Sequence, residues 1–80
     1  DGINDIWEIK NIDIYPNAII EIYSKSGQQV FRRRNYKNTI SDSFQAIDKY
    51  GNILPSATYY YVITLEEQDE VFKGTLTIVR

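Results

Sequence analysis

The side chains able to do chemistry here are acids, arginines, lysines and hydroxyls, because the chain has no histidine and no cysteine. The commonest general base and the commonest thiol nucleophile are therefore both absent. A serine would need some other base, and no Lys or Asp stands recognisably placed to serve. Nothing singles out a working pair among the 11 acids, and there is no glycine-rich phosphate loop. The acids of Glu66-Glu67-Gln68-Asp69-Glu70 read as a solvated loop tip, since carboxylates adjacent in sequence rarely converge on one ion. Asp1-Gly2-Ile3-Asn4-Asp5 offers hard oxygens, with Asp1, Asn4 and Asp5 the candidate calcium ligands. Their spacing does not meet the calcium-loop pattern with its distal Glu, so a turn is the preferred reading and no cofactor is expected. Arg32-Arg33-Arg34 is the one basic cluster. In a strand Arg33 faces away from its two neighbours, so the run reads as a charged sheet edge rather than a phosphate or lipid site. Function must come from surfaces, either a strand edge or an exposed aromatic face.

Elements rich in β-branched and aromatic residues have to present those surfaces. Thr58 to Leu65 is almost wholly of these types, which suit a pleated, half-buried strand. At period 2, Tyr59, Tyr61, Ile63 and Leu65 share a core face, and Thr58, Tyr60, Val62 and Thr64 share the other. Pro55 precedes the strand, where its missing N–H breaks no ladder. After the acidic tip Val71 to Arg80 resumes the alternation, with Phe72, Gly74, Leu76 and Ile78 on one face, so the two runs predict an antiparallel hairpin. Ile19 to Tyr23 and Gln29 to Arg34, joined by Ser24-Lys25-Ser26-Gly27-Gln28, predict a second. Ile6 to Ile14 suggests one or two short strands and Ser43 to Asp48 another. The sum is an all-β antiparallel sandwich of six or seven short strands.

Length and charge agree with this. Eighty residues make one domain, and without disulfides the 11 aromatic residues must supply much of the core. A net charge of −2 and a pI near 4.9 argue against nucleic acid as a partner. No apolar run is long enough to span a bilayer as a helix, and no signal peptide is visible. The opening on Asp1-Gly2 without a Met suggests a piece of a longer polypeptide.

Several segments together resemble a known family. These are Asp-Gly-Ile-Asn-Asp-Ile-Trp at 1–7, Ile-Tyr-Pro-Asn at 14–17, and Ile-Glu-Ile-Tyr with the following Ser-Lys-Ser-Gly-Gln-Gln-Val-Phe at 20–31. Tyr36, Leu-Pro-Ser-Ala-Thr-Tyr-Tyr-Tyr-Val-Ile at 54–63, Lys-Gly at 73–74 and Thr-Ile-Val-Arg at 77–80 complete the set. In this order they resemble the gliding-motility-associated C-terminal domain, the type B sorting domain of the type IX secretion system of Bacteroidota.

That resemblance implies an Ig-like β-sandwich of about seven strands at the end of a much longer secreted or surface protein. It implies a non-enzymatic signal that takes its cargo through the periplasm and outer membrane to the cell surface or medium. The implied partners are the translocon and an outer-membrane β-barrel of the PorP/SprF type. The domain itself is expected to be monomeric, to span no membrane and to bind no nucleic acid. Gly74, Thr75, Thr77, Val79 and Arg80 are the expected docking residues, by strand addition at an exposed edge. Two departures stand out. Ser24-Lys25-Ser26-Gly27 replaces the family's common Asn-Arg-Trp-Gly, and Ser43-Phe44-Gln45-Ala46 falls where Trp-Asp-Gly is common. The alternative function is an Ig-like adhesin module that stacks glycan on Trp7, Tyr15, Tyr23, Tyr36, Tyr50 or Tyr60. A calcium-stabilised spacer is a third.

Overall fold

A computed structural model describes residues 7–39, 41–48 and 50–79. Among the described residues four strands form a single antiparallel sheet: β1 (Ile19–Tyr23), β2 (Gln29–Arg34), β3 (Ala57–Leu65) and β4 (Glu70–Ile78), in the order β2-β1-β3-β4. Both expected hairpins are present. β1 and β2 lie where the alternation places them, and β3 pairs with β4 without a break from Ala57–Ile78 to Leu65–Glu70. Glu70 is thus the first residue of a strand, and the tip narrows to a 3₁₀ turn over Glu66–Gln68 closed by Asp69 in the left-handed region at φ 54°.

One face of the sheet carries the core. Ile20 and Ile22 of β1 are fully buried, Tyr59 and Leu65 anchor the two ends of β3, and Ile78 closes β4. Burial of each such side chain contributes roughly 1.5–3 kcal/mol. Tyr61 lies across Gly74, its cross-strand partner, so that a Cβ built on Gly74 would run into the phenol ring. Only glycine leaves room for that ring.

Where a second sheet was expected, the described residues form an irregular layer, 7–18 and 35–56. Asn11 in the left-handed region (φ 65°) ends any strand through Ile9, and Ile12–Ile14 coils into a 3₁₀ turn that buries Ile12 and leaves Ile14 exposed. Ala46 likewise has φ 61°, which restricts pairing in 43–48 to one isolated bridge between Ile47 and Ile53. Asp48 then turns the chain by accepting from the amides of Tyr50 and Asn52, both at 2.9 Å. Those amides, Asn52 first, hold its carboxyl below the usual range. At both places side-chain and left-handed turn chemistry wins over β propensity.

Side chains stitch this layer together. The Tyr36 hydroxyl donates to the Trp7 carbonyl and accepts from the Phe44 amide at 2.8 Å. Desolvation by burial pushes its pKa up to about 12, against a smaller lowering by the Phe44 amide. Asn38 takes the place of a strand partner for Ile9, accepting from its N–H at 2.9 Å and donating to its C=O at 3.0 Å. Trp7 packs against Tyr61 with ring centroids 5.1 Å apart, and Phe31 packs edge-on against Phe44 at 5.1 Å. Phe44 is therefore a core residue.

Candidate docking site

A four-stranded open sheet has two edges, and they are built differently. The β2 edge is short and carries Arg32, Arg33 and Arg34. A register shift between Ile22 and Tyr23 bulges it, skipping Val30. Arg33 turns back to Asp42 at 2.6 Å, and Arg34 reaches Glu66 at 2.9 Å. Short length, charge and a bulge are the features that blunt a sheet edge.

The β4 edge is longer, unbulged and less basic, with Glu70 at its start. Its nine residues run unbulged beside β3, with Lys73 as the sole cation and no proline. Among the expected docking residues, Thr75 and Thr77 are exposed on the face away from the core, and Thr77 Oγ1 lies 3.5 Å from Thr58 Oγ1 across the hairpin. Val79 is 84% exposed just past the strand. Gly74 is half-buried on the core-side face beneath Tyr61. Arg80 lies outside the described residues, as do Asp1, Asn4 and Asp5 of the calcium reading; among the described residues no cluster of acids has metal-binding geometry.

The sequence reading missed the apolar part of this edge. Val71 and Phe72 are 54% and 49% exposed. Beside them an open groove of about 360 Å³ runs between the irregular layer and the hairpin, lined by Ile9, Ile12, Ile14, Tyr15, Ile63 and Phe72, with Lys10, Gln68 and Glu70 also on its walls. Phe72 shares its face with the buried Ile78 and yet stands half-exposed. It is left uncovered because it lies on the outer strand: Leu65 of β3, nearer the tip on the same face, is buried, and the cover stops short of β4 beside it. The expected aromatic platform does not assemble either. Tyr36 is buried, Trp7 packs on Tyr36 and Tyr61, and Tyr15 packs against the core, while Tyr23 and Tyr60 pair on the opposite face of the sheet. Tyr50, at 74% exposed, borders a separate polar groove with Ser24, Gln28 and Asp48.

Residues 1–78 match the family model described as the CHU_C type IX secretion signal domain. The chain belongs to that family. The signal domain directs secretion of the cargo that bears it through the type IX system; it is a sorting module and not an enzyme. Its place is thus on the route across the outer membrane to the surface or medium, in contact with the secretion machinery. Among solved structures it is similar to part of PorZ, described as an essential bacterial surface component of the type IX secretion system of Porphyromonas gingivalis. The TM-score is 0.61 at 12% identity, over 80% of this chain and 8% of the PorZ chain. At that identity the likeness is one of fold. No curated protein matches the signal domain.

Proposed function

We propose that this signal domain is read through the β4 edge by strand addition, with Gly74, Thr75, Thr77, Val79 and Arg80 at the contact. The partner is the translocon together with a PorP/SprF-type outer-membrane β-barrel, and the domain acts as a monomer. In this reading residues 1–80 form one C-terminal domain of a much longer secreted or surface protein, which crosses the periplasm and outer membrane. The irregular layer is the counterpart of the second sheet of an Ig-like sandwich, because the Trp7 N–H to Phe44 C=O and Leu54 N–H to Ala46 C=O bonds still join its segments as strands would.

The observation that carries the proposal is the asymmetry of the two edges. A strand added to β4 gains backbone hydrogen bonds along nine residues, while the bulged, arginine-bearing β2 offers a poorer ladder. The test is export of a passenger fused to residues 1–80 in a host with the secretion system. A β4 edge charged by Val71→Lys with Thr75→Lys should abolish export without unfolding the domain. Unchanged export would remove β4 as the docking surface.

A further inference from the structure

We infer that the groove beside Phe72 selects the partner strand: it receives one bulky apolar side chain of an extended segment whose basic flank meets the acidic hairpin tip. The inference rests on the edge reading and deepens it. A strand laid outside β4 alternates its side chains between the two faces of the sheet. The residue that lands beside Phe72 on the core side therefore sits at the mouth of the groove walled by Ile9, Ile14, Tyr15 and Ile63. Phe72 at 49% and Ile14 at 63% exposed leave apolar surface there for an incoming group to cover.

Charge selects the rest of the occupant. The hairpin tip holds Glu66, Glu67, Asp69 and Glu70, and these lie at the start of β4. Arg34 satisfies Glu66, and Asn17 donates to Glu67 at 3.3 Å. Asp69 and Glu70 remain exposed and form no ion pair among the described residues. Every neighbouring pair in this sheet is antiparallel. An added strand that continues the pattern ends at the tip, so its basic residues follow its apolar anchor in sequence. The occupant is thus an extended protein segment with an apolar anchor, alternating polar residues and a Lys- or Arg-bearing C-terminal flank. A second copy of this chain carries a single basic residue after its apolar Leu76 and Ile78, Arg80, and is the competing occupant that the experiment below tests against.

The experiment is a titration of the isotope-labelled 80-residue chain, followed by amide NMR, with the capped peptide Thr-Thr-Leu-Thr-Val-Thr-Lys-Lys at up to millimolar concentration. Controls replace its Leu and Val with Ser, or its two Lys with Glu. Saturable shifts are expected on β4 and on Ile9, Ile14 and Tyr15, with affinity at least tenfold lower for each control and for the Phe72→Ser variant. If all peptides shift β4 equally and the groove residues stay still, the edge reading stands and the groove inference fails. If no peptide shifts β4, both fail. Concentration-dependent β4 shifts without peptide would assign the edge to a second copy and overturn the inference.

Discussion

The two hairpins differ as a closed edge differs from an open one. β1–β2 is short, bulged and fringed with arginine, and Phe31 on its core side is roofed by Tyr36 and Phe44. β3–β4 is nearly twice as long, unbulged and threonine-rich, and its far end is roofed by nothing beyond Ile9–Tyr15. Both are antiparallel ribbons of β-branched and aromatic residues, so propensity alone does not separate them. What separates them is where charge and bulges fall, and that decides which ribbon ends the sheet and which leaves it extendable.

The widest gap between the edges is expected in export. Val71→Lys with Thr75→Lys should cut passenger secretion at least tenfold, whereas Arg32→Thr on β2 should leave it within about twofold, both read as passenger in the medium. Equal losses would dissolve the distinction. In stability, Ile22→Ala on the central strand β1 should cost about 2–5 kcal/mol in denaturant unfolding, since it removes a fully buried side chain shared by both ribbons.

The roof over the β2 side has a pH signature. Tyr36 carries a folded-state pKa of about 12 against 10 for the ordinary phenol. A raised pKa means that the protonated form is favoured on folding, so its contribution is complete below pH 10 and lost as pH rises toward 12. About 2–3 kcal/mol should disappear over that window, and Tyr36→Phe should flatten this part of the stability–pH curve.

On the open ribbon, Gly74→Ala should cost about 1–3 kcal/mol by displacing the Tyr61 ring, without harming the β1–β2 register. Chemical-shift changes on β3, β4 and Trp7, with the β1–β2 pairs unmoved, would check it. The smallest effect belongs to the tether between the hairpins: Arg34→Ala, which frees the half-exposed Glu66, should lower stability by less than about 1 kcal/mol, and less again in high salt.

Much of this was legible in the residues. Alternation placed all four strands, the core face of β3 from Tyr59 to Leu65, and the opposed orientation of Arg33. Ser43–Asp48 and the described part of Ile6–Ile14, from Trp7 on, read as strands because their period-2 apolar residues outweigh Asn11 and Ala46, whose left-handed conformations depend on tertiary context. The groove was hidden for a related reason. Phe72 has the pattern of a core residue, and only the reach of the covering layer across the sheet, set by distant residues such as Asn38 and Tyr36, determines that it stays bare.

The order of the strands in space carries one more consequence. β1 finds its second neighbour only in β3, Ile19 against Thr64 and Tyr23 against Tyr60, across the whole intervening loop. A chain halted before residue 57 holds just the β1–β2 ribbon, and an isolated two-stranded ribbon is marginal in water. No product of synthesis that stops short of β4 can display the open edge, which exists only once β3 and β4 have both been made and paired.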